Sequence, residues 1–287
     1  MGNARPTFER RQLGLALRRL RDEAGKTQQH AADAVGKVRT RIVQLEDGVA
    51  TMSQEDLGKL LDCYSVNGDE RRTVLELGAH ARTRQKKRVH VDHLPDSYQR
   101  FADLEASASE IDCFETGIIP GLLQSEGYMH AILAECEGIW WERDAADSKD
   151  RLIFRELRQH RVLDSEDRRI MRFIITEDAL RANLGEPEIM REQLRHLLGL
   201  LRRHRDLTIR VLRNDVAGNP SRGRGFWIFG FGERAASVGY SESAYGPSSY
   251  YDDEADTFPM RRAFYRIWEL SLSRQESRRL IDGILKE

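Results

Sequence analysis

The chain has 287 residues, 40% of them hydrophobic and 32% charged, which suits a soluble globular protein with one large domain or two ordinary ones. No apolar run approaches the roughly 18 residues that a membrane span needs, and the opening MGNARPTFERR has no apolar signal core, so a cytoplasmic protein without a membrane partner is expected. The net charge of −1 hides an asymmetry: residues 1–94 carry 18 Lys and Arg against 13 Asp and Glu, and residues 95–287 carry 28 against 34, which assigns any nucleic-acid contact to the basic N-terminal part.

Five short helices are predicted in that part. Leu13, Leu17, Leu20 and Ala24 recur at helical spacing before Gly25. Thr27 can cap the second helix, TQQHAADAV, whose inner stripe is Ala31, Ala32 and Val35 and which closes at Gly36. The third is RTRIVQLEDG. Ser53 can cap the fourth, with Leu57, Leu60, Leu61 and Tyr64 inward, and Asp69 can cap the fifth, with Val74, Leu75 and Leu77 as its apolar residues. The run RTRQKKR, Arg82–Arg88, has no apolar stripe and reads as a hinge or as an arm along phosphates. The expected division is therefore 1–80 head, 81–94 basic linker and 95–287 second domain.

The second part mixes element types. A helix is expected at Tyr98–Ser107 with Tyr98, Phe101 and Leu104 on one side, then a strand at EIDCFET, a bend at GIIPGLLQ and a helix capped by Ser125. A long charged helix follows near Ser148–Leu163. RIMRFIIT, LTIRVL and GFWIFGF read as strands and Pro187–Arg203 as a helix carrying Ile189, Leu194, Leu197, Leu198 and Leu201. Two helices finish the chain, the last with the capping box Ser273–Glu276. This is a mixed α/β (α+β) domain. The three cysteines, Cys63, Cys113 and Cys136, are far apart and odd in number, as expected of reduced, buried residues.

The third helix carries the functional signal. At 100° per residue, Val38, Ile42 and Leu45 form one narrow stripe for the core. Thr40, Val43, Gln44 and Asp47 lie opposite, with Arg39 and Arg41 on the flanks. In a DNA major groove Val43 could touch a thymine methyl, Gln44 could pair with adenine and Arg39 with guanine. The first-turn amides of helix two, beside Gln28, suit a phosphate.

The run Gly25–Gly48, GKTQQHAADAVGKVRTRIVQLEDG, resembles the helix-turn-helix of Xre-type regulators, the group that includes the phage Cro and repressor proteins. Its T-Q start, A-x-x-x-G turn and I-x-x-[IL]-E-x-G ending all match. The resemblance implies a lambda-repressor-like five-helix head that binds double-stranded DNA as a homodimer. It implicates Thr27, Gln28, Arg39, Thr40, Val43 and Gln44, with Lys37 and Arg41 nearer phosphates, and a structural ion pair between Arg21 and Glu46. Two positions depart from the family pattern: Val38 stands where a capping Ser or Thr is usual, which leaves Lys37 or packing to set the start of the helix, and His30 replaces the Glu of the capping box.

In the second part no P-loop, G-x-G-x-x-G, H-E-x-x-H or G-x-S-x-G motif is present, so no catalytic, cofactor or metal residue is expected. His90 and His93 read as solvated linker residues, Gly223, Gly225, Gly230 and Gly232 as a hairpin with strand kinks, and Trp140, Trp141, Phe226, Trp227 and Phe229 as core. Tyr98–Leu133 is similar to the opening of a C-terminal domain found on Xre-type regulators of actinobacteria, whose hallmark I-P-G-L-L-Q is Ile119–Gln124, followed by the aromatic Tyr128. The later runs RELRQH, TEDALR, QLRHLL, IRVL and VGYSE fit the same pattern. This likeness implies an antitoxin-like transcriptional regulator. Its C-terminal domain would dimerise and sense a small protein encoded nearby or a small-molecule effector; alternatively, as the antitoxin of a pair, that domain would neutralise a small protein while the head represses its own operon. An enzyme with a DNA-targeting head would instead need a cleft with paired, perturbed titratable groups.

Overall fold

A computed structural model describes residues 6–83, 89–142, 144–232, 235–244 and 246–287. Most of the basic run, 84–88, lies outside the described residues. The helices are α1 (Phe8–Glu23), α2 (Gln28–Ala34), α3 (Arg39–Glu46), α4 (Gln54–Cys63), α5 (Gly68–Arg82), α6 (Ser97–Ser107), α7 (Glu126–Cys136), α8 (Ala145–Leu163), α9 (Pro187–Arg203), α10 (Glu254–Leu270) and α11 (Arg274–Leu285). The strands are β1 (Val89–Val91), β2 (Glu110–Glu115), β3 (Ile170–Thr176), β4 (Leu207–Leu212), β5 (Phe226–Gly230), β6 (Val238–Ser241) and β7 (Ser249–Tyr251). The architecture is an all-α five-helix head followed by a mixed α/β region. By contact, residues Met1–Ala108 and Phe229–Thr257 make one compact unit, and Ser109–Ile228 with Phe258–Glu287 make the other, so the span 95–287 contributes to both.

In the first unit, α1–α5 enclose one apolar cluster of Leu13, Leu17, Leu20, Ala31, Ala32, Ile42, Leu45, Leu57, Leu60, Leu61, Val74 and Leu77, all buried. Each fully buried leucine contributes about 1.5–3 kcal/mol of transfer free energy. The helix ends follow from local chemistry. Thr27 accepts from the His30 amide and Ser53 from that of Asp56. Gly36 leaves α2 at φ +62°, a left-handed turn that a Cβ would disfavour. Gly14 lets α1 meet the end of α3, because a Cβ there would lie 2.5 Å from the Glu46 carbonyl oxygen.

Val38 does not join the core stripe expected of it: it is 70% exposed, because it is the extended N-cap of α3 (φ −85°, ψ 150°) and lies off the helical wheel. It makes no side-chain cap, whereas His30 restores the capping box of α2: its Nδ1 accepts from the Thr27 amide at 3.2 Å. The N-cap of α5 is Asn67, whose side chain donates back to the Ser65 carbonyl and does not cap the helix, and Asp69 sits inside the first turn. There it and Glu70 favour the positive end of the helix dipole.

The stretch read as a linker contains β1, which pairs antiparallel with β7 (His90 opposite Tyr250), and β7 pairs in turn with β6 (Tyr240 opposite Tyr250). His90 is buried, not solvated. Its Nε2 meets Asp252 Oδ1 at 2.9 Å and its Nδ1 lies 2.8 Å from Glu9 Oε1. Phe8 packs against His90 and Tyr250, with centroids at 4.8 and 4.7 Å, while its amide donates to Asp252. Helix α6 completes the unit. Phe101 packs on Tyr240, and Asp103 accepts from Arg19 of α1. Tyr98, expected on the inner side of α6, is 65% exposed in its first turn.

In the second unit β2, β3 and β4 are parallel, with Phe114 opposite Ile174 and Ile174 opposite Arg210. Apolar residues fill both faces, as parallel strands covered on two sides require. Phe114, Ile174 and Leu212 share one cluster with Phe226, Ile228, Phe264 and Ile267. Ile111, Cys113, Phe173, Ile175, Ile209 and Val211 are buried as well. Helix α9 buries Leu194, Leu197, Leu198 and Leu201 as its period implied. Trp140 is 57% exposed, in the turn after α7, and so is not core. None of the three cysteines forms a disulfide; Cys113 is buried and Cys63 and Cys136 half-buried.

The Ile119–Gln124 run is held by three glutamines. Gln124 donates to the Ile119 carbonyl and accepts from Arg155. Gln159 donates to the carbonyls of Gly121 and Gln124. Gln193 donates to the Leu123 carbonyl and accepts from the Ser125 amide. The Tyr128 hydroxyl accepts from the Ile119 amide. Irregular backbone can be buried when its polar groups find such partners, and each one left unpaired costs about 1–3 kcal/mol.

Candidate nucleic-acid interface

Helix α3 separates its residues by face. Ile42, Leu45 and Glu46 are buried, Arg39, Thr40, Arg41, Gln44 and Asp47 are exposed, and Val43 is half-exposed. Buried Ile42 and Leu45 anchor the helix to the core of the head, which leaves a polar face with one β-branched apolar side chain.

The start of α2 stands beside this face. Thr27 is exposed and caps the helix, while Gln28, half-buried, links the two helices: its Oε1 accepts from Arg39 Nη2 at 3.2 Å and its Nε2 donates to Glu46 Oε2 at 3.0 Å. Arg21 donates to both oxygens of Glu46, from Nε at 2.6 Å and Nη2 at 3.1 Å. That hydrogen bond is the largest cause raising the Arg21 pKa above its ordinary value. Arg18, which the sequence reading did not single out, approaches Glu46 at 3.6 Å and pairs with Asp47 at 2.9 Å.

Arg41 points away from Gln28 and donates to the Thr51 carbonyl at 2.7 Å. With Lys37, Val38, Met52 and Ser53 it lines a groove of about 670 Å³ between the starts of α3 and α4. Lys37 lies 3.7 Å from Asp56 on the wall of that groove. The structure thus brings Thr27, Gln28, Arg39 and Glu46 together and sets Lys37 and Arg41 on the far side of α3's start. The sequence marked Ser53 only as a cap and Thr51 not at all; the basic pair Lys37 and Arg41, four residues apart, was the available signal for that groove.

Asp112 is buried in β2, and burial raises its pKa although Arg172 holds both its oxygens, at 2.6 and 3.0 Å. Among the described residues no group of three or more His, Cys, Asp or Glu is placed to hold a metal ion, and no helix is long and apolar enough to cross a membrane.

Two short helices joined by a tight left-handed turn, the second with a polar exposed face, define a helix-turn-helix domain, and the helix-turn-helix domain family matches residues 12–74. That match suggests a DNA-binding regulator. Residues 98–283 match the family described as "Domain of unknown function (DUF5753)", which covers more than half of the chain, so the chain belongs to that family. No curated protein and no solved structure matches it.

Proposed function

We propose that the protein is a sequence-specific transcriptional regulator that binds double-stranded DNA through α3 and the start of α2. The exposed row Arg39, Thr40, Val43 and Gln44, on a helix anchored by buried Ile42 and Leu45, carries this reading. Arg and Gln offer bidentate partners to guanine and adenine edges, and Val43 offers a methyl surface to thymine. Lys37 and Arg41 take the flanking phosphates, which position the head without specifying sequence. The ion pair of Arg21 with Glu46 ties α3 to α1, and the bond from Gln28 to Glu46 ties α2 to α3.

A helix of eight residues meets few base pairs. Tight binding therefore calls for a homodimer whose heads sit about 34–36 Å apart on one face of the duplex. The DUF5753 region holds that dimer and receives the signal, a partner protein or a small molecule, that alters head spacing. Selection of binding sequences from random duplexes by the full chain tests the proposal. The expected product is a two-fold repeat with half-sites about 10–10.5 base pairs apart. Recovery of no preferred sequence, with binding governed by salt alone, would overturn it.

A further inference from the structure

Glu46 does more in this geometry than close an ion pair with Arg21. Its carboxylate, almost wholly buried, has one oxygen turned to the Gln28 amide at 3.0 Å, and the other face of that amide meets Arg39 at 3.2 Å. A carboxylate only accepts hydrogen bonds and a guanidinium only donates them. Gln28 lies between the two, so its amide has one orientation: nitrogen toward Glu46, oxygen toward Arg39. We propose that Glu46 and Gln28 form a relay that sets the side chain of Arg39, so that Gln28 positions the residue that meets the base and does not read a base of its own.

This inference rests on the proposal that α3 reads DNA. The buried end of the relay is rigid, because Arg21 holds both oxygens of Glu46. The exposed end, the Arg39–Gln28 bond, is weak by itself in water. Its effect is to limit the rotamers of a long side chain before DNA arrives, and Arg39 then needs less ordering to pair with a guanine edge. Gln28 is a positioning residue, and so is Glu46 one step further back.

The test measures base preference at every position of the selected site for the full chain and for Arg39→Ala, Gln28→Met, Glu46→Gln and the double variant Arg39→Ala with Gln28→Met. Methionine keeps the length of Gln28 without either bond. Glutamine at 46 offers one oxygen where the carboxylate offers two, so its amide nitrogen faces an Arg21 N–H in either orientation; with that nitrogen at the Oε2 position it also meets Gln28, which reverses the Gln28 amide and sets donor against donor at Arg39. Arg39→Ala should abolish preference at one base pair in each half-site. Gln28→Met and Glu46→Gln should each weaken preference at that same base pair, by about three- to tenfold, and the double variant should match Arg39→Ala. A merely structural role would lower binding to all sequences alike and leave the profile unmoved, which would overturn the relay. So would loss of preference at a different base pair in Gln28→Met, since Gln28 would then read its own base. If Arg39→Ala changes no base pair, both the relay and the assignment of Arg39 as a reading residue fail. Thermal melting of each variant separates these outcomes from misfolding, and Gln28→Met, whose side chain is half-buried on the surface of the head, should melt close to the parent.

Discussion

The buried His90 offers a quantitative test of how α1 is tied to the strands of its unit. Burial pulls its pKa down, but the hydrogen bond to Asp252 and the approach of Glu9 outweigh it and raise the value to about 9 from an ordinary 6.5. The imidazolium is therefore the bound form at neutral pH. A group whose folded pKa is raised stabilises the fold fully below its unfolded value and loses that contribution as pH climbs through the folded one. At about 1.36 kcal/mol per pKa unit the contribution is on the order of 3 kcal/mol, present at pH 6 and gone above about pH 9. Replacing His90 by glutamine removes it and leaves Glu9 facing Asp252 without a cation between them. Urea unfolding of the full chain at intervals from pH 6 to 9.5 should show the parent losing on the order of 3 kcal/mol more than His90→Gln over that range. Proton NMR of the imidazole ring should show His90 titrating well above the ordinary 6.5. A midpoint at or below 6.5, or parallel pH profiles for the two proteins, would refute the reasoning.

Gln44→Ala should cost about 1–3 kcal/mol on the selected site and relax its sequence preference, as fluorescence anisotropy with specific and random duplexes would show; equal losses on both would remove Gln44 from the base-reading set. Gln193→Ala strips partners from the Leu123 carbonyl and the Ser125 amide, so it should destabilise the second unit by roughly 2–5 kcal/mol, measured by tryptophan fluorescence during urea unfolding, since all four tryptophans lie in that unit. Gly14→Ala drives a methyl against the carbonyls of Leu45 and Glu46 and should cost about 1–3 kcal/mol while tilting α3, seen as weaker binding to all duplexes together with a lower melting temperature.

The sequence was most legible where period and capping act over a few residues. Ile42 and Leu45, the caps Thr27, Ser53 and Ser125, and the bounds of β4 and α9 all came from spacing. Val38 was misread because the 100° period stops at the N-cap, where the backbone is already extended. His90 was misread for a different reason. Asp252, one of its two carboxylate partners, lies 162 positions away, and no local pattern in H-V-D-H signals it. The Gln28 link to Arg39 was equally hidden, since each residue suited a base contact when taken alone. The Ile119–Gln124 run could be picked out as a motif, but its physical content, buried carbonyls met by Gln159 and Gln193, needed coordinates.

The first unit closes with a segment that the ribosome delivers late. Residues Ser109–Ile228 are synthesised between its two parts, and at about 5–20 residues per second that interval lasts roughly ten seconds. The five helices of the head have a core of their own and can form within it. Phe8, His90 and Phe101, however, must wait for Tyr240, Tyr250 and Asp252, and until then their apolar and charged surfaces stay open to water or to chaperones. A nascent chain stalled before Phe229 therefore carries α3 without the clasp on α1. If α3 reads DNA as proposed, that chain already holds the reading face before the rest of the molecule exists.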